Sequence, residues 1–105
     1  MKAAAALVAA AQCFAAADQS LRAGEGNEAI RARLEECLPG EMPCYEQTLW
    51  AASFFASKRN GVALERALRG YPAAFAELIA EVYASDKDED AFRRGWFLGC
   101  IGERR

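Results

Sequence analysis

Apolar residues recur at helical spacing along most of the chain, and glycine, proline and asparagine interrupt them at intervals. Phe75, Leu78, Ile79 and Val82, for example, are offset by three, four and seven positions, which is typical of an amphipathic helix. Glycine and proline mark the ends of such segments because they cap or stop helices. The pattern predicts helices over residues 3–22, 28–38, 43–59, 62–69 and 73–84, and a sixth that Ser85 and Asp86 cap.

The composition supports the same fold class. Twenty-four residues are alanine, whereas valine, isoleucine and threonine together number seven, which favours helices over strands. The chain of 105 residues is long enough for one hydrophobic core. We predict an all-α fold, a compact single-domain bundle of five or six short helices over residues 1–105. Helices 3, 5 and 6 are expected to form its core, with helices 1 and 2 packed across them.

The first segment has two interpretations. Leu7, Phe14 and Leu21 recur every seven residues, which indicates a structural helix docked on another helix. The alternative is a secretory signal peptide, residues 1–17, with small residues before a cleavage site. Cleavage there would remove Cys13 and leave an odd number of cysteines. We favour the structural helix, and with it a cytoplasmic protein; the alternative is an exported or periplasmic one. The run is too short and too rich in alanine for a membrane span.

Several kinds of chemistry are excluded or poorly supported. The chain contains no histidine, which rules out serine–histidine catalysis and histidine-ligated metals. Asp86, Asp88 and Asp90 match the first half of a calcium loop, but the glycine and glutamate that should follow are Ala91 and Phe97. An acidic helix start explains these aspartates equally well. We therefore predict no metal, no cofactor and no enzymatic activity, with an unfamiliar enzyme using Glu, Asp, Cys or Arg as an alternative.

The four cysteines lack the spacing of zinc ligands or of a redox pair. Cys37 and Cys44 flank the turn between helices 2 and 3, so a disulfide between them is geometrically plausible in an exported protein. The other interpretation is four buried free thiols that act as apolar filler.

Gly95, Gly99 and Gly102 lie along one side of the last helix. Glycine within a helix is costly, so we expect a close approach by another helix to compensate. That helix is expected to belong to the same chain; the alternative is a self-association surface, with a homodimer through the Gly95/Gly99 face.

The charged and aromatic residues point to a protein partner. The net charge is −2 and glutamates concentrate between residues 28 and 46, so nucleic-acid binding is only a weak alternative. Adjacent aromatic residues on a helix point about 100° apart, so one member of each such pair is expected to reach the surface. Exposed aromatic and arginine side chains are preferred interface anchors. The candidate partner-binding residues are Phe55, Arg59, Arg66, Arg69, Arg93, Arg94, Trp96 and Phe97.

We therefore predict a small non-catalytic protein that covers a surface of a partner protein. An adaptor, an immunity protein or antitoxin, and a phage-type inhibitor all belong to this class. The alternatives are an exported helical protein that lacks residues 1–17 and carries a Cys37–Cys44 disulfide, and a weak nucleic-acid binder.

Overall fold

Six α-helices follow one another in the computed structural model, which describes the backbone of residues 2–104 and the side chains of residues 6–103. No strand occurs among residues 2–104, and the all-α prediction is confirmed. Met1 and Arg105, the ends of the predicted domain, lie outside the described residues. The helices are α1 (Lys2–Arg22), α2 (Asn27–Cys37), α3 (Met42–Arg59), α4 (Leu64–Arg69), α5 (Ala76–Ala84) and α6 (Glu89–Arg104).

Most helix ends fall where the sequence places them. Gly24 after α1 and Gly61 after α3 have φ angles of 78° and 79°, which glycine adopts without steric cost. A 3₁₀ turn at Ala73–Phe75 precedes α5, so the regular helix begins three residues later than predicted. The predicted cap of α6 at Ser85 and Asp86 is wrong: the cap is Asp88, whose Oδ1 accepts a hydrogen bond of 2.8 Å from the amide of Ala91.

Two clusters of buried side chains make up the core, and α3 and α6 contribute to both. The first cluster joins α1 and α2 to the first turn of α3 and the second half of α6. The second joins the rest of α3 to α4, α5 and the start of α6. The helix α3 is therefore the centre of the bundle, as its nearly continuous apolar surface predicts.

Two disulfides tie the helices together, and neither is the predicted one. Cys13 of α1 is bonded to Cys37 of α2, with their Cα atoms 6.1 Å apart. Cys44 in the first turn of α3 is bonded to Cys100 of α6, with their Cα atoms 5.7 Å apart. The predicted Cys37–Cys44 disulfide is wrong, as is the prediction of four free thiols. The reason is topological: α2 returns along α1 after the turn, so its last residue lies beside Cys13.

The helix α1 is integrated into the first core cluster. Ala10, Phe14 and Ala17 are buried there, and Cys13 carries one half of a disulfide. Loss of residues 1–17 would remove these contacts and leave Cys37 without its disulfide partner. Among the described residues, no helix combines the length and the hydropathy needed to cross a membrane.

Candidate functional site: the α5–α6 groove

An open groove lies between α5 and α6. Both helices pack against α3, but they pack little against each other, so the space between them stays unfilled. The groove has a volume of about 660 Å³. The prediction that helices 3, 5 and 6 form the core is thus correct for the contacts of α3 with α5 and of α3 with α6. The space between α5 and α6 is open to solvent.

The lining of the groove combines aromatic, aliphatic and acidic side chains with bare backbone. Phe75 and Leu78 form one wall, and Phe92 and Trp96 form the other. The Phe92 and Trp96 rings stack with centroids 5.8 Å apart. The indole Nε1 of Trp96 donates a hydrogen bond of 2.8 Å to Oε1 of Gln47 on α3, which fixes the ring at the edge of the groove.

Gly95 and Gly99 expose the backbone of α6 along the groove. No atom of another element lies within 4 Å of the position that a Cβ would take at either residue, and the same holds at Gly102. The expected packing of this glycine face against another helix of the same chain is therefore wrong. A helix in which glycine faces open space carries a cost in stability that nothing within the described chain offsets.

Exposed aromatic surface continues from the groove towards α3. The Phe75 ring lies 4.9 Å from the ring of Trp50, centroid to centroid, and Trp50 packs edge-on against Tyr71. Trp50 is 42% exposed, so it is the most accessible large aromatic side chain beside the groove. Trp50 belongs to α3, a helix expected to form the core, and it was not among the predicted partner contacts. It lies off the stripe formed by Cys44, Thr48, Ala51 and Phe55, and that offset is the signal that could have placed it at the surface.

The rim of the groove is acidic. Glu77 and Glu81 of α5 and Glu103 of α6 line it, with Lys87 as the only basic lining residue among the described side chains. None of the three glutamates forms an ion pair within 4 Å with any side chain among residues 6–103. Glu103 also lies in the last turn of its helix, where the helix dipole disfavours negative charge.

Three predicted partner-binding residues are buried, so the structure corrects these assignments. Phe55 is 7% exposed in the second core cluster, and Phe97 is fully buried in the first. Both Phe54 and Phe55 are covered because α3 is surrounded by helices, so the rule that one member of an adjacent pair reaches the surface fails there. Arg93 is 3% exposed and lies inside the bundle.

Arg93 is buried because a carboxylate from α1 neutralises it. Its Nη1 and Nη2 each donate a hydrogen bond of 2.8 Å to Asp18, and its Nε donates one of 3.0 Å to the carbonyl of Thr48. Its guanidinium carbon lies 5.4 Å from the centroid of the Phe14 ring. The hydroxyl of Tyr45 donates a hydrogen bond of 2.7 Å to the same aspartate. The network is enclosed and saturated, and it links α1, α3 and α6.

The network shifts the acidity of two of its members. Burial, together with the hydrogen bond to Asp18, raises the pKa of Tyr45 well above its ordinary value. Burial alone would lower the pKa of Arg93, but the hydrogen bonds and the charge of Asp18 outweigh it, so that pKa is raised. Tyr45 therefore stays protonated and Arg93 stays charged, and neither is poised for proton transfer.

The remaining predicted residues are not buried, and they are distributed over α3, α4 and α6. Trp96 lines the groove, whereas Arg66 and Arg69 lie on α4. Arg59 forms an ion pair of 2.9 Å with Glu89, and Arg94 lies at the start of α6 beside the acidic cap. The predicted set thus brings a single residue to the groove.

Some of the positive charges are engaged within the domain, which bears on nucleic-acid binding. Arg22 forms an ion pair of 2.9 Å with Asp90, and the Nζ of Lys58 donates a hydrogen bond of 2.8 Å to the carbonyl of Ser85 just beyond the end of α5. With Arg93 buried as well, these cations are engaged within the domain. Phosphate recognition requires cations free to replace condensed counterions.

Metal-ligand clusters and free thiols are both absent among the described residues. No group of three or more metal-ligating side chains occurs there, and all four cysteines are bonded as disulfides. Comparison of the chain with known protein families, with curated proteins and with solved structures finds no match. The fold and the groove together define a small all-α domain, bonded by two disulfides, that carries an open aromatic groove with an acidic rim.

Proposed function

We propose that the protein is a non-catalytic protein-binding domain, and that its α5–α6 groove covers a surface of a partner protein. The groove itself carries the proposal, because partly exposed Trp96 and Phe75 flank bare helix backbone at Gly95 and Gly99. Aromatic side chains dominate interface energetics when they lie beside pockets that a partner can fill. An adaptor, an immunity protein or antitoxin, and a phage-type inhibitor are all roles of this kind.

The chemistry of the groove favours binding over catalysis. Its walls carry aromatic rings, its polar side chains are mainly exposed glutamates together with Gln47 and Lys87, and its cysteine, Cys100, is bonded to Cys44. An enzyme site would bring together a nucleophile or acid–base pair with shifted pKa values. Tyr45 and Arg93, whose pKa values are shifted, lie in the enclosed network and do not line the groove.

The two disulfides favour an oxidising compartment as the place where the protein functions. Disulfides persist in exported and extracellular proteins and are reduced in most cytoplasms. We therefore favour an exported location over the cytoplasmic one that the sequence led us to expect, but without the removal of residues 1–17, which include Cys13 of the first disulfide. Intact mass measured on protein from its native cells, lysed with a thiol-blocking reagent, provides the test. Four unblocked cysteines support an oxidising compartment, and four blocked cysteines would contradict it.

The binding function is tested by variants that fill the groove. Gly99→Leu places a side chain in the groove, whereas Gly102→Leu adds the same side chain to the same helix outside it. Immobilised wild-type protein and both variants are incubated with extract from the native cells, and bound proteins are quantified by mass spectrometry.

A protein captured in this way is then purified, and its affinity for each variant is measured by calorimetry. We expect it to bind wild type and Gly102→Leu equally, and to bind Gly99→Leu at least tenfold more weakly. If every captured protein binds all three variants equally, the groove is not the binding surface and the proposal fails.

A further inference from the structure

We infer that the α5–α6 groove takes an α-helical segment of a partner protein, with lysine or arginine residues on both sides of a stripe of small and apolar residues. This inference rests on the proposed function, because it names the occupant of the same groove. Two properties of the groove support it: the bare backbone of α6 at Gly95 and Gly99, and the acidic rim, whose carboxylates have no ion-pair partner among the described side chains.

The bare backbone of α6 at these glycines fits the close approach of a helix from a partner protein. Gly95 and Gly99 are one turn apart, about 6 Å along the axis of α6, and both lack neighbours where a Cβ would lie. A helix that crosses at this point can approach the α6 backbone closely, and small residues at the crossing make that approach closer still. The contacts with Phe75 and Trp96 would then bury apolar residues one turn away on the same face of the partner helix.

An extended peptide fits less well. Extended segments usually bind by adding to the edge of a sheet, and residues 2–104 contain no strand. Within the groove, the carboxylates could accept from some N–H groups of an extended backbone, but Gln47 and Lys87 are the few side-chain donors for its C=O groups among the described lining residues. A helix satisfies these groups internally before it binds.

The charge of the rim fits a cationic segment. Glu77 and Glu81 lie on one wall, Glu103 lies near the opposite end of α6, and none of them has an ion-pair partner within the described side chains. Carboxylates from both helices that line the groove therefore leave negative potential at its rim. Lysine or arginine residues that flank an apolar stripe would neutralise it.

The same charges disfavour a second copy of this chain as the occupant. In a symmetric dimer both protomers use the same surface, so an acidic rim would face another acidic rim. A homodimer through the Gly95/Gly99 face would bring six of these glutamates, three from each copy, to one interface, with one lysine from each copy to balance them.

A display selection with the full-length, disulfide-bonded protein tests the inference. The library consists of peptides of about 20 residues that are designed to be helical and are randomised in both apolar and charged positions; such a helix is roughly 30 Å long. Wild-type protein is the target, and Gly99→Leu is used to remove peptides that bind elsewhere. Enriched peptides are synthesised, and their affinities are measured by fluorescence anisotropy.

We expect enriched peptides to carry an excess of lysine and arginine beside the apolar stripe. Replacing Glu77, Glu81 and Glu103 together by glutamine should weaken their binding roughly tenfold. Glu65→Gln, which removes an exposed carboxylate on α4 outside the groove, should change it less than twofold. Thermal melts of the glutamine variants should match the wild type, because the substituted carboxylates are exposed.

Other outcomes would overturn the inference. Peptides that depend on the groove but show no cationic excess, or that ignore the triple glutamine variant, would contradict the cationic helix and leave the binding function standing. A wild-type dimer in sedimentation that Gly99→Leu dissociates would assign the groove to a second copy. No enrichment over Gly99→Leu, together with no groove-dependent partner in the capture experiment, would sink the proposed function as well.

Discussion

Arg93→Met should destabilise the protein far more than the loss of an ordinary surface arginine. Arg93 has a side chain that is 4% exposed and pairs with Asp18, whose side chain is 8% exposed. Methionine fills a similar volume but supplies no charge and no donor. The substitution leaves the carboxylate of Asp18 inside the bundle with only the hydrogen bond from Tyr45.

The expected loss in the free energy of unfolding is about 3–5 kcal/mol. That range is typical when one partner of a buried ion pair is removed, because the remaining charge stays out of water without compensation. The substitution also removes the hydrogen bond from Arg93 to the carbonyl of Thr48 and the contact of its guanidinium with the Phe14 ring. For a domain of this size, each kcal/mol lowers the melting temperature by roughly 4 °C or more, so the melt should shift by about 12–20 °C.

A second ion pair in the same protein provides the control. Arg22 and Asp90 are joined at 2.9 Å, nearly the same distance as the 2.8 Å between Arg93 and Asp18. Their side chains, however, are 66% and 62% exposed. Because solvent screens such a pair, Arg22→Met should cost less than about 1 kcal/mol. Urea unfolding of both variants without reductant, followed by circular dichroism, measures the two losses under identical conditions.

Equal losses for the two variants would refute the argument, because burial would then contribute nothing to the difference. A double variant, Arg93→Met with Asp18→Leu, distinguishes two contributions to the loss of stability. One is the loss of the ion-pair attraction, and the other is the burial of the unpaired Asp18 carboxylate. The double variant removes both charges, and it should recover stability to within about 2 kcal/mol of wild type, the remainder arising from the orphaned hydroxyl of Tyr45. A double variant no more stable than Arg93→Met would show that the pair itself, and not the stranded carboxylate, supplies the stability.

Four further predictions concern the core, the disulfides and the groove. Because burial and a carboxylate hydrogen bond raise the pKa of Tyr45 above its unfolded value of about 10, stability should be fully present below that pH and fall above it by up to about 1.4 kcal/mol per pH unit. Tyr45→Phe should abolish this slope in urea titrations at successive alkaline pH values, and an unchanged slope would contradict the assignment. Replacing Cys44 and Cys100 together by serine should cost about 4 kcal/mol in urea unfolding, since the bond closes a loop of 56 residues; a loss below about 1 kcal/mol would contradict that account. Gly95→Ala should raise the free energy of unfolding by roughly 0.5–1 kcal/mol, because the added methyl group meets open space, and a decrease would show that another element approaches α6. A chain that lacks residues 1–17 should melt at a lower temperature or fail to fold, because half of a disulfide and part of the first core cluster are lost; a cooperative melt like that of the full chain would contradict the structural role of α1.

Much of the helical architecture could be predicted because it depends on local signals. Apolar periodicity, alanine content and the turns at Gly24 and Gly61 locate the helices to within a few residues. The site was less accessible to prediction. Of the residues selected as partner contacts, only Trp96 lines the groove, and Trp50, which is exposed beside it, was not among them. Exposure depends on which helices cross α3, and no local pattern specifies those crossings.

Local patterns along the chain indicate that it is helical, place its helices to within a few residues, and exclude chemistries that need histidine. The pairing of the cysteines, the burial of Arg93 and the groove between α5 and α6 depend instead on how the helices pack. The difference lies in the sequence range of the interactions. Helix formation responds to neighbours within a few residues, whereas Arg93 is buried because a carboxylate 75 positions away reaches it through the fold.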